Sequence, residues 1–344
     1  MRISTPLSSA LLSLALLQFM PAEADTIHLT TVQSIGSLAT FIAQDKGYFK
    51  KYGVDVDIER LQSAADGVAL LATNQIQILE GGISVGFFNG KERKLPVIMV
   101  SDRVSTPIHH KLVVALRHKD KVKTLKDLKG MTIGTNAAGS VTTYELGKVL
   151  ETAGMSLDDI QLKVLSFAQM GAALQNGALD ATLSIPPFSE ALVNDGFGTT
   201  LAEVDKLVDP KPLTIAGVFL NPEWAKAHEK DVQNFFLAYM QATRDYCVAY
   251  HHGPNRAEME QIALKNEIGK DLATIQKDPW TGRSLNGRVN IASVLDQQKY
   301  YRDSKLIQGV TPAEELFTSA YVDKAVEALG APPKIPEDND PSCR

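Results

Sequence analysis

Two stretches of this chain carry the same order of apolar runs and polar breaks. Residues 27–78 read IHLTTVQSIGSLATFIAQDKGYFKKYGVDVDIERLQSAADGVALLATNQIQI, and residues 131–183 read MTIGTNAAGSVTTYELGKVLETAGMSLDDIQLKVLSFAQMGAALQNGALDATL. Each spells an apolar strand, a polar loop, a helix, a glycine-marked turn, a strand, a short polar turn, a helix and a strand. In the first unit the pattern predicts a strand over 27–32. A helix capped by Ser37 follows, with Leu38, Phe41 and Ile42 on one side, ending at Gly47. Then come a half-buried strand over 54–58, a helix over 64–73 and a short strand over 76–79. Gly81-Gly82 opens a turn into a brief helix, and residues 96–100 form another strand. In the second unit a helix spans 142–150, and Pro186-Pro187 stops the last strand because proline cannot continue a ladder. A short helix over 188–194 ends at Gly196.

Outside the two units lie two apolar strands, 112–116 and 213–220, placed to carry the chain from one unit to the other and back. After them the pattern turns helical, with helices predicted over 232–250, 256–268, 289–301 and 312–329. The expected fold class is α/β, with two lobes, two crossover strands and a helical C-terminal part. Residues 25–111 with 214–330 form lobe one, and residues 112–213 form lobe two. Residues 331–344 are a C-terminal tail.

The first 24 residues change the picture of where the chain works. Arg2 precedes an apolar run over 7–20, and Ala22-Glu23-Ala24 fits a small-x-small cleavage pattern, so a secretory leader is expected over 1–24. That run is short for a membrane span. A periplasmic, monomeric protein follows. Its formal net charge of −5, without basic clusters, gives no electrostatic case for nucleic acid. An oxidising compartment permits a bridge between the two cysteines, Cys247 and Cys343, which would pin the proline-rich tail to a helix.

In open α/β sheets ligands sit beyond the C-terminal strand ends, beside helix N-termini. That rule selects Gln33, Ser34 and Ser37 after the first strand, and Gly82 and Ser84 after the third. In the second unit it selects Asn136, Gly139, Ser140 and Val141, and Gln169 in the next strand-to-helix turn. Phe188 and Trp280 are candidate apolar walls. The segment 136–142 is the sharpest candidate, because the free N–H groups of the helix it precedes favour an anion. A small organic acid fits it, a sulfonate or an aromatic or aliphatic carboxylate. A neutral heterocycle fits too, since Asn136, Gln169 and Ser84 need not face a charge. His109-His110 has no carboxylate or cysteine at metal-ligand spacing, and no metal or cofactor is expected. No G-x-S-x-G, H-E-x-x-H or P-loop pattern occurs, so no catalytic residue is assigned.

The segments FIAQDKGYFKKYGVDVDI, LLATNQIQI, TLKDLKGMTIGT and AALQNGALDATLSIPPFSEAL resemble a family of periplasmic substrate-binding proteins of ABC transporters. It is the family that binds nitrate, taurine, alkanesulfonates and thiamine precursors, and it shares its fold with the yeast pyrimidine-synthesis enzyme. The likeness covers residues 27–220 well and the helical remainder in outline. It implies a two-lobed periplasmic-binding-protein fold closing around a solute, with a membrane permease as partner. It also implies ligand contacts in 33–37, 81–84 and 136–141, and at Pro186 and Phe188. The cysteine-rich segment of the yeast enzyme has no counterpart here, which sets aside that enzyme's motif but leaves an enzyme or a sensor module as other uses of the cleft.

Overall fold

A computed structural model describes residues 26–343. The expected leader therefore lies outside the described residues. Among the described residues, ten strands form two five-stranded sheets. They are β1 (Ile27–Val32), β2 (Val56–Leu61), β3 (Ile78–Gly82), β4 (Ile98–Ser105), β5 (Lys111–Ala115), β6 (Thr132–Thr135), β7 (Gln161–Val164), β8 (Ala181–Ser184), β9 (Gly198–Glu203) and β10 (Thr214–Leu220). The helices of seven residues or more are α1 (Leu38–Asp45), α2 (Ala64–Ala72), α3 (Val85–Glu92), α4 (Val141–Glu151), α5 (Phe167–Asn176), α6 (Phe188–Asn194), α7 (Glu229–Tyr250), α8 (Arg256–Lys265), α9 (Ile291–Asp303) and α10 (Ala320–Leu329).

The first sheet has the order β2-β1-β3-β10-β4 and the second the order β7-β6-β8-β5-β9. The repeat in sequence is thus a repeat in space. In each sheet three parallel strands come from one α/β unit, and the fourth position runs antiparallel to its neighbours. That fourth strand enters from the far side of the chain: β10 after the second unit, β5 after the first. Each sheet therefore closes only when the other unit's crossover strand has been laid in. All seven residues of β10 are buried, as expected of a strand covered on both faces, and its sequence TIAGVFL reads as a continuous apolar run.

The strand over 198–203 was not foreseen. Its GTTLAE sequence alternates too weakly to stand out, and it forms as an edge strand by pairing with β5. The helix expected over 312–329 is broken into Ala313–Leu316 and α10, because Phe317 bridges to Met99 of β4 and Thr318 donates to its carbonyl. Most other boundaries move by a few residues, within the reach of fraying and turn chemistry.

Packing ties the sheets together. One apolar cluster joins β1 to α1, α7 and α8 through Leu29, Phe41, Phe235, Tyr239 and Met259. A second takes Leu79, Phe87 and Phe219 from around the first sheet and Leu112, Ile133 and Leu183 from the second, so apolar contact runs from one to the other. Tyr301 of α9, fully buried, donates to Ile83 O at 3.3 Å and lies 3.1 Å from Ser140 O. The tail lies against the body through the Cys247–Cys343 disulfide, which anchors it to α7. Ser342 Oγ donates to Thr106 O at 3.0 Å in the first crossover.

Candidate functional site

The strand ends of both sheets converge on one cleft. Ser34 ends the loop after β1, in extended backbone, and a 3-10 turn at Ile35–Ser37 leads into α1. Ser37 Oγ donates to Ser34 O at 2.7 Å and accepts from Ser34 N at 3.2 Å, so Ser37 holds the loop rather than facing a ligand. Opposite stands the N-terminus of α4, with Ser140 at its cap. Ser140 Oγ lies 2.9 Å from Thr142 Oγ1, which donates to Asn136 Oδ1 at 2.8 Å. Asn136 Nδ2 in turn donates to Gln62 O, across the cleft, at 2.9 Å. Val85 N donates to Gly139 O at 2.9 Å beside it. Two close approaches need glycine: a Cβ on Gly82 would meet Val141 Cγ1 at 2.5 Å, and one on Gly139 (φ +66°) would meet Val85 at 2.8 Å.

The cleft enclosed by these loops holds about 530 Å³ of free space with its open mouth included. Val104, Phe167, Ile185, Pro186 and Ile215 supply apolar walls, and Ser34, Asn136 and Ser140 supply polar groups. Two further residues border it, Arg103 and His110.

Arg103 lies within β4 and is 3% exposed. Its Nη2 donates to Val32 O at 2.8 Å and Thr31 Oγ1 at 3.1 Å, and its Nε lies 3.5 Å from Glu80 Oε2. Glu80 of β3 is fully buried and accepts from Thr40 at 2.7 Å and Thr31 at 3.1 Å. Burial pushes the Glu80 carboxyl up, against the pull of the guanidinium and the two hydroxyls. His110 closes the crossover before β5, and its Nδ1 lies 2.9 Å from Glu145 Oε2 of α4. Burial likewise pushes Glu145 up, with His110 opposing it. Behind Arg103, Asp102 accepts from Ser284 N at 2.7 Å and Ser105 Oγ at 3.1 Å. Its burial raises it to about 6.

Of the residues expected at the site, Ser34, Gly82, Asn136, Ser140 and Val141 line the cleft. Gln33 turns away, its amide donating to Asn266 O and Glu267 O at the end of α8. Ser84 caps α3 by accepting from Phe87 N. Gln169 is exposed and accepts from Ser166 Oγ at 2.9 Å in the cap of α5. Gly139 forms the junction with Val85. Phe188 stacks on Phe167 at 5.5 Å, so it backs the wall that Phe167 presents. Trp280 is packed between Tyr246 and the Arg256 guanidinium, while its neighbour Thr281 reaches the cleft.

Arg103, His110 and Phe167 were not among the expected residues. A signal existed for the first two. Asp102-Arg103 interrupts an apolar strand, Glu80 sits between Leu79 and two glycines, and Glu145 lies in the middle of a helix otherwise fit for burial. Charged residues rarely occupy such positions unless paired. Among the described residues, no group of three His, Cys, Asp or Glu is placed to hold a metal ion. No described helix is long and apolar enough to cross a membrane.

The sequence matches the model of the NMT1-like family over residues 20–264. The chain belongs to that family. It is 28% identical over 143 residues to a formylaminopyrimidine-binding protein of Halalkalibacterium halodurans, an alignment covering 42% of each chain. It is 24% identical over 312 residues to the 4-amino-5-hydroxymethyl-2-methylpyrimidine phosphate synthase THI13 of Saccharomyces cerevisiae, covering 88% of this chain and 86% of the yeast protein. Among solved structures, the alkanesulfonate-binding protein SsuA of Xanthomonas axonopodis pv. citri, bound to MOPS, superposes with a TM-score of 0.70 at 19% identity. It covers 86% of this chain and 100% of that one. The periplasmic nitrate-binding protein NrtA of Synechocystis PCC 6803 superposes with a TM-score of 0.73 at 16% identity over 90% of both chains. The two-lobed α/β fold with C-terminal helices is thus the fold of periplasmic solute-binding proteins.

Proposed function

We propose that this family member is a periplasmic receptor that captures one uncharged nitrogen heterocycle of the pyrimidine kind and delivers it to an ABC permease. The observation that carries the reading is the composition of the cleft wall. The two cation-forming groups that border it, Arg103 and His110, are each backed by a buried glutamate. What is left for a ligand is a set of hydrogen-bonding edges between apolar faces, which suits a flat polar ring better than an isolated anion. The curated relatives support it, since one binds a pyrimidine and another makes one by its name. The expected lobes, 25–111 with 214–330 and 112–213, then act as the two jaws. Segments 106–110 and 208–213 are the hinge. Capture needs no catalytic group; closure excludes water and strengthens each polar contact.

A second reading, a small organic anion, is favoured by the N-terminus of α4 and its Ser140 cap, and by the fold shared with sulfonate- and nitrate-binding proteins. A thermal-shift comparison decides between them. Saturating 4-amino-5-hydroxymethyl-2-methylpyrimidine raises the melting temperature by mass action, about 2.7 kcal/mol at a hundred times the dissociation constant. MOPS at the same concentration leaves it unchanged. Stabilisation by MOPS and not by the pyrimidine overturns the proposal in favour of the anion.

A further inference from the structure

Both buried glutamates lie one layer behind the cleft, and each sits behind a different wall. Glu80 belongs to β3 in the first sheet; Glu145 belongs to α4, which packs beside the second. Neither borders the cavity, whereas Arg103 and His110 do. The Arg103 guanidinium keeps its proton at any working pH. Its Nη2 is bonded to Val32 O and Thr31 Oγ1, and its Nη1 edge points toward Gly36, where an added Cβ would lie 3.7 Å away. Gly36 lines the cleft. Thr31 and Thr40 both donate to Glu80, and with the guanidinium beside it they favour its charged form against the effect of burial. The same loop is braced by Arg283, whose Nη2 donates to Gly36 O at 2.7 Å and whose charge faces Asp102. Cationic groups around this loop are thus countered from the protein side.

We propose that Glu80 and Glu145 are positioning residues that set the charge selectivity of the cleft, cancelling Arg103 and His110 from behind so that it accepts uncharged ligands with acceptor atoms and discriminates against anions. The inference rests on the receptor reading above and adds to it the device by which a donor-rich wall avoids capturing anions. An unaccompanied buried guanidinium attracts an anion strongly in a medium of low dielectric. With a carboxylate 3.5 Å from its Nε, that field is reduced to a local dipole, and an incoming anion also meets the carboxylate's repulsion. A ring nitrogen or carbonyl oxygen loses little, because its hydrogen bond depends on the near N–H.

Calorimetry with two probe pairs matched in shape tests this. The first pair is 4-amino-5-hydroxymethyl-2-methylpyrimidine and 4-amino-2-methylpyrimidine-5-carboxylate; the second is nicotinamide and nicotinate. The natural chain is expected to prefer the neutral member of the pair it binds by about tenfold or more. Glu80→Gln keeps an amide oxygen for the Thr31 and Thr40 hydroxyls and removes the charge. It should move the preference toward the carboxylate by at least tenfold. Glu145→Gln does the same from the other wall and serves if Glu80→Gln does not fold. A merely structural glutamate would weaken both members of a pair alike, so an unchanged ratio in the folded variants overturns the assignment, as does a natural chain that prefers the carboxylate. Binding of nicotinamide over nicotinate with no pyrimidine bound retains the charge device and discards the pyrimidine. Binding of none of the four overturns both.

Discussion

At the scale of single residues, the cleft is governed by charges buried inside apolar elements. Asp102 shows what such burial does to stability. Its pKa is raised to about 6 from an ordinary carboxyl value, because desolvation outweighs the bonds from Ser284 N–H and Ser105 and the charge of Arg283. An acid whose folded pKa is raised contributes stability that is fully present below the unfolded pKa and is lost as pH rises through the folded value. The contribution therefore disappears between about pH 4 and pH 6 and is on the order of 3 kcal/mol. Asp102→Asn keeps an acceptor for Ser284 N–H without the ionisation. Its melting temperature relative to the natural chain should rise as pH rises across that window; a difference independent of pH would show that Asp102 ionises freely. Asn136 provides a second residue-level test. Asn136→Ala removes the bond to Gln62 O across the cleft and leaves Thr142 Oγ1 without its acceptor. About 1–2 kcal/mol of closed-state stability should go with it, read by calorimetry as weaker ligand binding at an almost unchanged heat of unfolding.

At the scale of elements, most of the strand and helix order was legible, because period-2 and period-3.6 apolar patterns report the buried face directly. The repeat in sequence conveyed two like units, and the structure gives them matching strand orders. What escaped depended on partners distant in the chain. Strand β9 exists because β5 offers it an edge, and the helix break at Phe317 exists because Met99 offers a bridge. Site residues divide in the same way. Ser34, Asn136 and Ser140 sit where strand ends meet helix starts, a local rule, and they line the cleft. Arg103 reaches it from within β4 and His110 from the crossover before β5, and only the buried charges in their apolar surroundings marked them in the sequence. Gln33 and Gln169 obeyed the local rule but were drawn into bonds with α8 and with the cap of α5. The cysteine pair expected from the compartment is bridged in the structure, Cys247 to Cys343 across 96 residues. Replacing both cysteines by serine should lower unfolding stability by about 2–4 kcal/mol, since the bridge restrains the unfolded chain. Chemical denaturation measures this, and equal midpoints would mean that the tail is held without the bond.

At the scale of the whole molecule, two similar sheets exchange their fourth strands, and on the proposed receptor reading the two crossings, 106–110 and 208–213, are where one half swings against the other. Packing limits that swing. The apolar cluster shared by both sheets and Tyr301, set between Ile83 and Ser140, lie on the side of α4 and α9. Motion is therefore expected to open the cleft at the Ser34–Phe167 side while α4 and α9 stay in contact. The duplicated pattern pointed to two lobes and a ligand between them, and its helix start at 136–142 favoured an anion; the proposed uncharged ligand rests instead on Glu80 and Glu145, which do not border the cavity. The central claim is that this cleft holds an uncharged pyrimidine. A crystal structure of the protein grown with 4-amino-5-hydroxymethyl-2-methylpyrimidine tests it most directly. The account predicts one planar ring per chain between Ser34 and Ser140, within hydrogen-bonding distance of Arg103 or His110 and against Phe167. An empty cleft at saturating pyrimidine, or a ring bound elsewhere on the chain, would contradict it.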